Sequence, residues 1–232
     1  MVKKKLDQYR GKLSPAQISQ GMNAAISNAK RLADDAELLL KERRFPSAAS
    51  LAVLSIEESG KLSILRQLAV VQNDKQVIDS WRQYRSHTKK NVAWILPDLV
   101  KGGSRKLDDL KPIFDESSDH PYVLDHIKQI GFYTDCLGKA HWSVPDEVID
   151  EKLAGMLVAV AKLFVSKKEV TEKEMELWIK HVGPVWMKNM EWMKHALENW
   201  YQDMQKSGLA PEGSNAMQEF IRKGIDIDTD KT

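Results

Sequence analysis

An all-α fold is predicted for this chain from three observations. Apolar residues recur at three- and four-residue steps over long stretches, helix caps and breakers punctuate those stretches, and no stretch alternates apolar with polar residues as a half-buried strand would. At 232 residues the chain is long enough for one sizeable domain or two small ones, with a real core. The pattern divides it into a basic tail at 1–13, a single helical domain at 14–206, and a loosely packed segment at 207–232.

Ser14-Pro15 reads as an N-cap followed by proline at the first helical position. From there Ile18, Met22, Ile26, Ala29, Ala33, Ala36 and Leu40 trace one helical face, which Arg44-Phe45-Pro46 ends. The next segment, 47–71, is apolar on nearly every side, as befits the middle of a bundle. Within it Ala48, Ala52, Ile56 and Gly60 form a ridge of small residues suited to close contact, and Leu51, Leu54, Leu62 and Leu65 form a larger one. Asn73-Asp74 makes a break, and a third helix is predicted over about 75–100.

The glycines and polar residues of 101–121 read as a surface loop with at most a helical turn. A helix over 121–130 follows, then an irregular connection through 131–143, then a helix opened by Pro145 that runs to about 166. Thr171 and Glu174 have the spacing of a capping box. Gly183-Pro184 interrupts the helix they begin, and a last long segment reaches about 206.

Composition sets outer limits on function. A net charge of +2 gives no global argument for nucleic-acid binding, so any such argument must rest on local clusters. The single cysteine, Cys136, excludes an internal disulfide framework and a cysteine-only metal site. The N-terminus is basic but lacks the apolar core of a secretory signal. The longest apolar run, 156–165, is interrupted by Lys162 and too short to span a bilayer. A cytoplasmic protein with no membrane association is the expectation.

Two places in the chain hold candidate chemistry. At Glu57-Glu58, Glu57 faces Lys61 in the favourable i,i+4 orientation of a surface pair. Glu58 falls in the leucine stripe, where a carboxylate is costly unless a cation or donor meets it. That points either to a structural salt bridge or to an acid that orients an Arg or His. The second place is 80–91, SWRQYRSHTKKN, which has four Arg and Lys residues around one histidine and no acid. Arg82 and His87 lie five positions apart, about 140° round an ideal helix and about 7.5 Å along it. A bend, or a second copy across a symmetric dimer, would be needed to unite them. An imidazole can take the proton of a 2′-hydroxyl, and a guanidinium can offer paired donors to a phosphate. That is chemistry for cutting RNA without a metal, although a solvated helix face is the plainer reading of the same residues.

Other signals are weaker. Trp186, Met190, Met193, Leu197 and Trp200 recur at helical spacing, which reads as core. Trp81 beside Arg82 could stack on an unpaired base, but burial against a neighbouring helix is the expectation. Glu191, His195 and Glu198 share a helical face, yet the paired Glu-x-x-His motifs of a di-iron bundle are absent. No metal or cofactor is expected.

The neighbourhood of these motifs resembles a known family. NAKRLADDAELLLKERRFPSAASLAVLSIEESGK, residues 28–61, is similar to the signature of the AbiV family of bacterial abortive-infection proteins. The likeness is carried by the Arg-Phe-Pro turn, the Ser-Ala after it, and Ile-Glu-Glu-x-Gly-Lys. SHTKK at 86–90, and GFYTD at 131–135 followed by a proline-led helix, extend it to roughly 14–165. The resemblance implies a HEPN-like helical bundle with additional C-terminal helices. Many HEPN proteins are metal-independent endoribonucleases with an Arg-x4–6-His motif placed at a homodimer interface. By position the resemblance implies Arg82 and His87 as catalytic residues, with Glu58, Lys61, Gln83 and Ser86 supporting them and Lys89 and Lys90 holding RNA. Gln83 departs from the Asn, Asp or His often found after the arginine. The implied partners are RNA (tRNA, mRNA or rRNA), a second copy of the chain, and a phage-encoded activator or target. The rival reading is a non-catalytic dimeric protein that binds a phage or translation component. A structural helper for another toxin is a third.

Overall fold

The computed structural model describes residues 6–115 and 117–224. Helix α1 (Pro15–Lys41) begins with a reciprocal capping box: Gln17 N donates to Ser14 Oγ at 3.2 Å and Ser14 N donates to Gln17 Oε1 at 2.9 Å. It ends where Arg43 takes a left-handed conformation (φ 56°) and the amides of Arg43 and Arg44 close on the carbonyls of Leu40 and Leu39. Helix α2 (Phe45–Val70) then runs back along α1. Gly21 lies beside Leu65, and Ser55 Oγ donates to the Ala29 carbonyl at 2.7 Å, which makes the pair antiparallel.

The predicted face of α1 is buried at Ile18, Met22, Ala29, Ala33 and Ala36. It meets Ala48, Ala52, Val53 and Ile56 of α2, so that small residues bring the two helices close. Helices α6 (His120–Phe132) and α8 (Glu151–Phe164) pack on α2 and complete this core around Leu124, Leu157 and Val158. A Cβ on Gly131 of α6 would stand 2.4 Å from Ser50 Oγ, so the α2–α6 contact depends on that glycine.

A second cluster joins Ile18 and Met22 to Leu65, Leu68, Val77, Trp81 and Met175. It anchors α3 (Asp74–Arg85) and α9 (Glu172–Val182), the latter capped by Thr171 as its spacing predicts. Helix α10 (Met190–Lys206) lies on α9 through Trp200 and Met204 against Leu177. The all-α expectation holds.

Several elements differ from expectation. The predicted helix over 75–100 is broken into α3, the single turn α4 (His87–Lys90), a 3-10 turn Val92–Ile95, and α5 (Leu96–Lys101). Ser86 causes the first break, with extended backbone and a hydroxyl that caps α4. The stretch 101–121 holds a 3-10 helix at Leu107–Phe114, begun where Asp109 accepts the amides of Arg105 and Lys106. The irregular connection contains a hairpin, β1 (Asp135–Leu137) and β2 (His141–Ser143), whose turn includes Gly138 (φ 51°) and Ala140 (φ 60°). Three-residue strands are too short to show alternation, so only the turn could have signalled them.

The helix expected over 145–166 is divided into α7 (Pro145–Val148) and α8, with buried Ile149 between them and Asp150 as the cap. The segment expected to be loosely packed contains α11 (Ala216–Arg222). Ile221 of α11 is buried, and Arg222 binds Glu198 of α10 through two hydrogen bonds. Residues 225–232 of that segment, and 1–5 of the basic tail, lie outside the described residues. The rest of the tail is docked: Trp81 Nε1 donates to the Gly11 carbonyl at 2.9 Å, and Arg85 donates to the Tyr9 carbonyl at 2.6 Å. Among the described residues no helix is long and apolar enough to cross a membrane.

Candidate functional site around Glu57 and His87

Helix α2 carries an ionisable group on its inward face, and it is Glu57. With Val53, Ile56, Gly60 and Ile64, Glu57 lies on one face at three- and four-residue steps, and its side chain is only 3% exposed. Glu58 instead lies beside Lys61, which donates to it at 2.6 Å. The assignments drawn from the leucine stripe are thus reversed. A helix that is apolar all round offers several equally plausible stripes, and only the neighbouring helices select one.

Gly60 decides what covers Glu57. A Cβ there would stand 2.0 Å from the Lys90 carbonyl oxygen, so the glycine allows the backbone of α4 to lie directly on α2. Because Ser86 turns the chain at the end of α3, His87 leaves the line of that helix. Its Nδ1 then meets Glu57 Oε2 at 2.6 Å. From α6, Lys128 Nζ donates to Glu57 Oε1 at 2.8 Å and pairs with Asp125 at 2.8 Å. Lys90 completes the cluster, with its Nζ 3.3 Å from Glu57 Oε2. Glu57, Lys90 and Lys128 are all buried, whereas the His87 side chain is 53% exposed.

Burial is the strongest single influence on Glu57 and opposes its ionisation. The hydrogen bonds from Lys128 and His87 and the charge of Lys90 together outweigh it and hold the carboxyl below its ordinary range. Burial likewise opposes the charge on Lys128, but its bonds to Asp125 and Glu57 raise its pKa above the usual value. Glu57 is therefore an anion near neutrality and can only accept hydrogen bonds. His87 Nδ1 must carry the proton, which leaves the lone pair of the neutral ring on Nε2. A half-exposed imidazole held in one tautomer by a buried carboxylate is suited to abstracting a proton.

The other predicted residues are arranged around this pair in different ways. Arg82 is 75% exposed on its side chain and donates to Asp79 at 2.7 Å. Gln83 lines a groove beside α4, and Ser86 shapes the turn into α4. Lys61 stacks over the Tyr84 ring at 5.1 Å while holding Glu58. Lys89 is exposed at the groove, but the Lys90 ammonium is buried against Glu57 and is not presented to a phosphate in solution. Trp81 is core, as expected of it.

Sequence reasoning missed Glu57 as the acid, and it missed Lys128 and Asp125. A signal existed in the pattern Leu124, Lys128, Gly131, which places an ammonium on the buried face of α6. Ligand atoms of Glu57, His87 and Asp125 lie within 4.8 Å of one another, a spacing compatible with a metal ion. Lys128 already bridges the two carboxylates and Lys90 adds a second ammonium, so a cation would have to displace both. Glu198, considered with Glu191 and His195 as a ligand set, is engaged by Arg222.

The family model HEPN AbiV, described as AbiV, matches residues 17–166. That span runs from the first turn of α1 past the end of α8 and includes Glu57, Gly60, Arg82, His87 and Lys128. No curated protein and no solved structure matches the chain.

Proposed function

Because the chain belongs to the AbiV family of HEPN-type abortive-infection proteins, we propose that it defends against phage as a metal-independent endoribonuclease centred on His87. One observation carries this reading: the 2.6 Å contact of Nδ1 of the half-exposed His87 with the buried Glu57 carboxylate, which leaves Nε2 as the ring nitrogen not engaged by that carboxylate. In the proposed reaction Nε2 takes the proton of a ribose 2′-hydroxyl, and O2′ attacks the adjacent phosphorus. The bond to the 5′ oxygen breaks, that oxygen takes up a proton, and a 2′,3′-cyclic phosphate and a 5′-hydroxyl remain. Glu57 acts as a positioning residue that also stabilises the imidazolium as it forms.

Arg82 enters through a second copy of the chain. Its side chain is 75% exposed in the protomer and pairs with the exposed Asp79, a contact worth little and easily exchanged. In a homodimer, Arg82 of one copy would face His87 of the other and clamp the phosphate. The RNA substrate (tRNA, mRNA or rRNA) and a phage-encoded trigger belong to the same proposal.

The decisive experiment incubates purified protein and its His87→Ala variant with total RNA in excess EDTA. Cleavage to cyclic-phosphate ends by the wild type alone is expected. Equal cleavage by both proteins would remove the claim. A second reading, a non-catalytic protein that binds a phage or translation component, draws on the exposed Phe132, Tyr133, Leu137 and Trp142 around the hairpin. Intact RNA with both proteins would favour it.

A further inference from the structure

The fixed charges around His87 balance without a proton on its Nε2. On α2, both carboxylate oxygens of Glu57 are engaged: Oε2 by His87 Nδ1 at 2.6 Å, and Oε1 by Lys128 Nζ of α6 at 2.8 Å. Lys90 of α4 stands 3.3 Å from Oε2, and Asp125 of α6 pairs with Lys128 at 2.8 Å. Two carboxylates therefore face two ammoniums, and Glu57, Lys90 and Lys128 are buried. Of the other charged groups on the adjoining turns of α2 and α3, Lys61 holds Glu58, Arg82 pairs with Asp79, and Arg85 donates to the carbonyls of Trp81 and Tyr9. On α6, His120 bonds Ser118 and the Val92 carbonyl, and His126 is exposed, as is Lys89 on α4.

A buried excess of one charge is costly, and the usual remedy is to move a proton. Without Lys128, Glu57 and Asp125 would face Lys90 alone. The excess negative charge would draw a proton onto the imidazole, or onto Glu57, whose carboxyl could then donate to Nδ1. Either way Nε2 carries a hydrogen and its lone pair is lost. The titration of Glu57 agrees in direction: burial opposes its ionisation, and the bond from Lys128 is the largest influence against burial.

We propose that Lys128 is a positioning residue that keeps His87 Nε2 free to take a proton, by giving Glu57 the positive charge that the imidazole would otherwise supply. Asp125, partly exposed beside it, moderates that charge. The consequence for rate rests on the ribonuclease reading, whereas the protonation state of Nε2 does not.

The test reads Nε2 by ¹⁵N NMR of histidine-labelled protein in excess EDTA, because bare and protonated ring nitrogens resonate far apart. The chain has six histidines, and His87 is the one whose signal the His87→Ala protein lacks. Lys128→Met removes the charge and nearly keeps the volume. At the pH where half of the wild-type Nε2 is protonated, this change is expected to raise the protonated-to-free ratio at least about threefold. Lys128→Arg should stay near the wild-type ratio. The double change Lys128→Met with Asp125→Asn restores the charge balance and should return most of the way to it. An unchanged ratio in Lys128→Met, or no recovery in the double variant, would overturn the proposal. If Lys128→Met does not fold, Asp125→Asn decides, since it alters a partly exposed side chain. There the ratio should fall at least about twofold, and an unchanged ratio would overturn the assignment. Cleavage of RNA across pH separates this proposal from the one it builds on. Its acid limb should move to higher pH in Lys128→Met. The expected NMR changes with no cleavage by the wild type would keep Lys128 in its role and remove the nuclease, and cleavage with an unchanged NMR ratio would do the reverse.

Discussion

In the proposed function Glu57 and His87 carry the chemistry, and each has a separable consequence. His87→Ala should remove most of the general-base contribution, about 10²–10⁴-fold in rate, while circular dichroism stays unchanged, because the side chain is half-exposed. Glu57→Gln is different, because it leaves Lys90 and Lys128 buried around a neutral amide. Breaking such a buried cluster should cost about 3–5 kcal/mol, read as a lower urea midpoint at neutral pH. The pH dependence follows from the direction of the shift. The folded Glu57 carboxyl titrates below its unfolded value, so its stabilisation is fully present above the ordinary carboxylate range. It is lost as pH falls through the lower, folded value. Urea titrations of wild type and Glu57→Gln should therefore converge as the solution is acidified, and a gap constant with pH would contradict the assignment.

At the scale of elements, the site depends on one helix crossing and one helix break. The crossing of α4 over α2 has no room for a side chain at position 60, where a Cβ would fall 2.0 Å from backbone oxygen. Gly60→Ala must push α4 outward, although in an open helix the same change would be mildly stabilising. A Tm lowered by several degrees together with lost RNA cleavage is expected, and an unchanged Tm would show that α4 does not rest there. The break at Ser86 is a subtler device. Its hydroxyl accepts from Lys89 N at 3.5 Å and so starts a new turn in place of a fourth turn of α3. The angle between Arg82 and His87 on an ideal helix consequently loses its meaning. Motif spacing in the chain describes a straight helix, and the chain does not keep one there.

For the whole molecule, the proposal bears on assembly. The 17–166 region forms the core around α1, α2, α6 and α8, while α9 to α11 flank it through the Arg66–Glu174 and Lys194–Asp108 pairs. If Arg82 and His87 act together across a homodimer, Arg82→Ala and His87→Ala proteins should each be inactive yet complement one another. Mixing and reassembly would create heterodimers with one intact composite site, restoring about a quarter of the wild-type rate in a random mixture. No recovery despite demonstrated exchange of subunits would place Arg82 outside the site. Light scattering supplies the parallel check that the protein is a dimer at all.

The sequence by itself determined the helical class, the first two helices with the serine cap of α1, and the family signature. All of these are local: a serine cap, a three-to-four-residue period and a proline turn act within a few residues of themselves. It also marked Glu57-Glu58 and 80–91 as the chemically unusual stretches, because glutamates inside an apolar helix and a histidine among cations are conspicuous wherever they fold. Only the tertiary structure decided which glutamate turns inward, because α2 is apolar all round and its orientation is set by α1, α6 and α8. Only it showed Lys128, 71 positions from Glu57, as a partner in the buried cluster. Lys90 was drawn inward by the same acid and Arg82 was left facing solvent. These outcomes are set by burial and charge pairing between distant segments, which no spacing along the chain encodes.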